Sequence, residues 1–178
     1  GGSLAVNKKV FNKVMFFYKL SGYRMSADEA YLIIRGLRTL DVRLKKHYEN
    51  TKIVINFLRK QKKIKEILYP YKPSSKSYKL WKKYYSGANG LFSIVVKSKK
   101  RSSVIKFVNS LELFGIGYSW GGFESLVLLQ DLRTNTKYTQ TRRFLRFAKD
   151  EHIVRLHIGL EDPKDLIIDL KRSLKHIK

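Results

Sequence analysis

The 178-residue chain contains no cysteine. Disulfides, thiolate metal sites and cysteine nucleophiles are therefore excluded. Acidic groups are scarce: 14 Asp and Glu stand against 38 Lys and Arg, a formal charge of +24. No apolar run approaches the roughly 18 residues that a membrane-spanning helix needs. No secretory leader is legible either, because Lys8, Lys9 and Lys13 are not followed by a long apolar core. A cytoplasmic, reducing setting without a membrane partner is the expectation. The histidines number four and show no metal signature. His152 and His157 are an odd number of residues apart in one predicted strand and so point to opposite faces. His47 and His176 fall on predicted helix surfaces.

What is present is globular. Hydrophobic residues make up 43% and aromatics 13% of the chain, enough for one domain with its own core. The chain opens on Gly-Gly-Ser and not on Met, which reads as a tag remnant or as the interior of a longer protein. Leu4 to Val6 is strand-like. Val10 to Leu20 has helical periodicity and is stopped by Ser21-Gly22. Ser26 to Glu29, "SADE", spells a capping box, in which a serine hydroxyl and a glutamate three residues on satisfy each other's backbone N–H groups. A long helix follows, with Ile33, Leu37, Leu40, Leu44, Val54 and Leu58 on one face. Gly36 interrupts it at a cost of about 1 kcal/mol against Ala.

Strands then alternate with helices. The spacing predicts strands at 64–69, 91–96, 114–120, 125–129 and 153–159, and helices at 76–85 and 102–111. A last helix opens at Asp162-Pro163, with Asp as N-cap and Pro at the first position. This order implies an α/β sandwich, a sheet with helices on one side.

Three stretches carry candidate chemistry. In the strand "HIVRLHIGLED", Val154, Leu156 and Ile158 share the core face, and Ile153, Arg155 and His157 share the other. A guanidinium within an apolar strand is costly without compensation: it meets an internal carboxylate, it lies on a solvated sheet face, or it grips a ligand's acid group by parallel hydrogen bonds. The second stretch is "YSWGGFESL", residues 118–126, nine residues without a basic group in a strongly basic chain. A strand that stops at Gly121-Gly122 brings Ser119 and Trp120 to a sheet rim. The third is "KPSSKSYKLWKKYY", residues 72–85, where cations interleave with aromatics. It reads either as a nucleic-acid surface or as a solvated helix whose Leu80, Trp81 and Tyr84 face the core; the latter is favoured, because basic residues are spread over nearly every segment.

Taken with "IRGLRTLDVRL" (residues 34–44) and "SGANGLFSIVVK" (residues 86–97), the blocks "YSWGGFESL" and "RLHIGLED" resemble, in order, the carboxyl-terminal half of the Cys/Met-metabolism family of pyridoxal-phosphate enzymes. The Ser-Trp-Gly-Gly form is similar to the bacterial cystathionine β-lyase group. The resemblance implies the small domain of the aspartate-aminotransferase-type fold, with residues 1–25 as the tail of the large cofactor-binding domain and 26–178 as the small domain. It implies substrate-binding roles for Arg155 (the α-carboxylate), for Ser119 and Trp120 beside it, and for Tyr118 nearby. The complete enzyme would use pyridoxal 5′-phosphate to convert cystathionine to homocysteine, pyruvate and ammonia, a methionine-biosynthesis step, and would be a homotetramer. The Schiff-base lysine belongs just upstream of Gly1, so the chain alone is expected to be inactive and not to hold the cofactor stably. The alternative is a basic module on a decayed scaffold that binds nucleic acid through residues 72–85 and 133–149.

Overall fold

A computed structural model describes residues 2–130 and 147–178. By its internal contacts the chain divides into two compact units, Gly1–Val42 and Arg43–Lys178.

The first unit carries α1 (Lys8–Ser21) and α2 (Ala27–Leu37). The Asn7 side chain accepts from the Val10 amide at the start of α1, and Gly22, at φ 68°, closes its end. That left-handed backbone is open to glycine without strain. The capping box forms as the sequence spells it: the Glu29 amide donates to Ser26 Oγ at 3.2 Å, and the Ser26 amide donates to Glu29 Oε2 at 3.0 Å. No residue of α1 or α2 is buried. Leu4 to Val6 is not a strand, because no ladder partner pairs with it among the described residues.

The long predicted helix is two. α2 ends at Leu37, and α3 (Leu40–Leu58) begins after a turn at residues 38–39. The buried positions of α3 are His47, Asn50, Thr51, Val54, Ile55 and Leu58. That stripe has helical spacing, but its upper half is polar. Leu40 and Leu44, expected on the buried face, are exposed.

The second unit is built on a five-stranded sheet. Its strands are β1 (Ile64–Leu68), β2 (Leu91–Lys97), β3 (Gly115–Ile116), β4 (Leu126–Gln130) and β5 (Glu151–His157). Their order is β1-β2-β5-β4-β3, antiparallel except for the β3–β4 pair. Between them lie α4 (Tyr78–Tyr84) and α5 (Arg101–Asn109), and α6 (Pro163–Ser173) follows β5. The predicted strand at 114–120 is only two residues long; the rest of that stretch leaves the sheet as a loop. Ile94, Val96, Val154, Leu156 and Val127 point to one sheet face and join residues of α3, α5 and α6 in a single core. α6 starts as predicted: Asp162 accepts from the Lys164 amide, and Pro163 is its first residue. Buried Asp169 accepts from the amides of Glu112 and Leu113, at 2.9–3.2 Å, and so ties α6 to the turn before β3.

Candidate carboxylate-binding rim

Two of the three stretches singled out in the sequence meet. Arg155 and His157 are two apart on β5 and therefore project from the same sheet face. Together they fasten the loop at 117–122. Arg155 Nη2 donates toward the carbonyls of Gly117, Tyr118 and Ser119, at 3.2, 2.6 and 3.4 Å. Arg155 is half-buried. It forms no ion pair with a carboxylate among the described residues. Nη2 is committed to the loop; Nε and Nη1 are the donors left for an acid group.

His157 Nε2 lies 3.1 Å from the Gly122 carbonyl and 3.1 Å from the Gly121 amide nitrogen. Beyond the glycine pair the loop is tied down again. The Leu160 amide donates to the Phe123 carbonyl at 2.8 Å. Glu161 accepts from the Ser125 amide at 2.7 Å and from its hydroxyl at 2.9 Å. That hydroxyl accepts in turn from the Gly159 amide at 2.8 Å. A Cβ at Gly159 would stand 2.2 Å from the Phe123 carbonyl, so the approach requires glycine.

The segment that follows β5 is held from the other side by α3. His47 Nδ1 bonds the Ile158 carbonyl at 2.7 Å. Asn50 Nδ2 donates to the carbonyls of Gly159 and Glu161, at 3.1 and 2.9 Å. His47, expected on a helix surface, is thus only 2% exposed, and its ring centroid lies 5.2 Å from that of His157. Its polarity hid it: a buried stripe is sought among apolar residues, and here the stripe caps backbone carbonyls. Burial, foremost, holds the His157 pKa below its usual 6.5, and the neighbouring His47 and Arg155 act in the same direction.

The predicted site residues fall into two groups. Arg155 is fixed by the loop. Ser119 and Tyr118 meet it through their main-chain carbonyls, while their side chains and that of Trp120 are exposed; Tyr118 is 80% and Trp120 56% accessible. A guanidinium with N–H groups not taken by the described residues can receive a carboxylate. The rim does not fit the cofactor: an arginine cannot form the imine that anchors a pyridoxal aldehyde, which requires a lysine amine.

The basic aromatic stretch is committed to packing at its centre. The Trp81 ring meets Tyr71 edge-on at 4.5 Å and stacks on Tyr78 at 5.6 Å, and its indole N–H donates to the Gly87 carbonyl at 3.0 Å. Leu80 and Tyr84, expected to face the core, are exposed, because so short a helix packs through Trp81 and Tyr78 alone. The second basic stretch, 133–149, lies almost wholly outside the described residues.

The second unit is thus an α/β domain that carries a half-buried arginine on a glycine-bounded rim. Residues 1–175 match the family described as Cys/Met metabolism PLP-dependent enzyme, and the chain belongs to it. It is 34% identical to cystathionine beta-lyase of Escherichia coli over 99% of its own length and 44% of that protein. To the L-alanine/L-glutamate racemase of Wolbachia pipientis it is 36% identical, over 99% of its length and 43% of the relative's. Among solved structures, cystathionine gamma synthase of Xanthomonas oryzae pv. oryzae superposes with a TM-score of 0.82 at 27% identity, over 97% of this chain and 44% of that one. The chain therefore spans less than half the length of the relatives it matches. The fold is α/β, that of the carboxyl-terminal part of these enzymes. No helix among the described residues is long and apolar enough to cross a membrane.

Proposed function

We propose that this chain is the carboxyl-terminal portion of a pyridoxal-phosphate-dependent carbon–sulfur lyase that acts on cystathionine. The observation that carries the reading is Arg155: a guanidinium without a carboxylate partner among the described residues, fixed by the main chain of the Ser119–Trp120 loop. On this reading Arg155 grips the substrate α-carboxylate, Ser119 adds a hydroxyl beside it, and Trp120 and Tyr118 wall the pocket. Residues 1–25 end the large domain and residues 26–178 form the small one. The cofactor, when bound to the complete enzyme, supplies the electron sink for α-proton removal. This chain supplies orientation of the acid group, which converts a loosely bound amino acid into a positioned one. The complete enzyme is a homotetramer.

A second reading is favoured by the racemase relative at 36% identity: the same carboxylate grip would serve α-proton exchange on alanine or glutamate. One experiment separates the two. This chain replaces the corresponding carboxyl-terminal portion of the Escherichia coli lyase, and the chimera is loaded with pyridoxal phosphate. Pyruvate release from cystathionine is the expected result. Loss of optical rotation from L-alanine without pyruvate release supports the racemase. Neither activity in a chimera that folds and binds cofactor overturns both readings.

A further inference from the structure

We propose that His157 is a positioning residue for the rim, a latch whose Nε2 fastens the Gly121–Gly122 turn and thereby holds Ser119 and Trp120 beside Arg155. The loop at 117–122 has two fastenings, both from one face of β5. Arg155 takes the carbonyls before the glycine pair, and His157 takes the pair itself. Gly121 has φ 85°, a left-handed backbone open to glycine without strain. No other hydrogen bond reaches either glycine among the described residues.

One nitrogen cannot accept from Gly121 and donate to Gly122 at once. His157 Nδ1 is buried without a partner. A proton there would be a buried, unsatisfied donor, so the proton belongs on Nε2, where it is given to the Gly122 carbonyl. The ring itself is held in place. His47 packs on it from α3, and Leu126 of β4 stands opposite it. Gly90 leaves room for it: a Cβ there would come within 3.0 Å of the imidazole. The latch is thus a buried, immobilised ring bonded to an exposed turn. That the rim so held receives a substrate carboxylate rests on the proposed function; the fastening does not.

The test is amide exchange and chemical shift in the full 178-residue chain, with His157→Asn and His157→Gln. Asn is too short to reach the turn, whereas Gln presents an amide donor and acceptor near the place of Nε2. In His157→Asn, the Gly122 carbonyl carbon, the Gly121 and Gly122 amides and the Trp120 indole N–H shift, because the hydrogen bond to the Gly122 carbonyl is lost. Amides of Ile94 and Val154 in the sheet stay as protected as before. His157→Gln restores the rim signals. The proposal is overturned if the Asn variant leaves the rim unchanged, or if the Gln variant disturbs it as much with the sheet intact. Should the Asn variant lose sheet protection, the Gln variant decides alone, by keeping or losing the wild-type rim signals. In the chimera, His157→Asn raises KM while kcat holds within about twofold, the pattern of lost uniform binding, and Gln reverses it. A chimera without activity whose rim still follows His157 sinks the lyase reading and leaves the latch standing.

Discussion

In residues 8–37 neither helix buries a residue, and Phe16, Phe17, Leu20, Leu32, Ile34 and Leu37 are exposed. In residues 91–97 a single strand buries Phe92, Ile94, Val95 and Val96. Both regions are apolar and both follow their local rules of capping and period. The difference lies in what each has to pack against. β2 has strands on both sides and helices over one face, whereas α1 and α2 display amphipathic stripes with no buried position. Local sequence dictates an element; only a facing surface makes it core. An exposed apolar expanse of this size marks a contact surface.

The comparison breaks most visibly at phenylalanine. Phe107→Ala, fully buried in α5, is expected to destabilise unit two by about 3–5 kcal/mol. Phe17→Ala, 65% exposed in α1, should stay within roughly 0.5 kcal/mol. Urea unfolding of the two variants measures both; equal effects would mean that α1 packs where it is read as open. Next comes Asp169→Ala, which leaves the Glu112 and Leu113 amides without an acceptor. A loss of about 1–3 kcal/mol is expected, and Asp169→Asn should recover part of it.

Acid sensitivity also belongs to unit two. The His157 pKa is depressed, so its contribution is present above pH 6.5 and is lost as pH falls through the folded value. Glu151 is held below its ordinary 4.5, first by its hydrogen bond with Lys65 and then by the Ala148 amide. Its contribution is present above pH 4.5 and is lost below. Thermal midpoints against pH should therefore fall in two windows, and Glu151→Gln should flatten only the more acidic one. The smallest effect is Ser26→Ala, which removes one half of the α2 capping box. About 1 kcal/mol of local helix stability should go, seen as faster exchange in the first turn of α2, with unfolding of unit two unchanged.

Much of this is legible in the sequence. Caps were read from the residues that make them, Ser26 and Glu29 or Asp162 and Pro163, because capping is a contact between near neighbours. The core face of β5 followed from alternation. The meeting of the Arg155 strand with the Gly121–Gly122 turn did not follow from spacing; family likeness implied it, and the hydrogen bonds give it geometry. Two contacts are out of reach because of their range. Ser125 meets Glu161 across 36 residues, and Asn50 meets Glu161 across 111. His47 looked like a surface histidine because its partner is a main-chain carbonyl, which leaves no mark on side-chain patterning.

The claim at the centre is that the Arg155 guanidinium receives the substrate's acid group. Steady-state kinetics of Arg155→Ala in the cofactor-loaded chimera, with cystathionine as substrate, test it, and Arg59→Ala serves as a control far along the sequence. Loss of one partner of a desolvated charge pair amounts to about 2–5 kcal/mol, so KM should rise on the order of a hundredfold while the control stays at wild type. A KM unchanged by Arg155→Ala, in a protein that still folds and binds cofactor, would contradict the account.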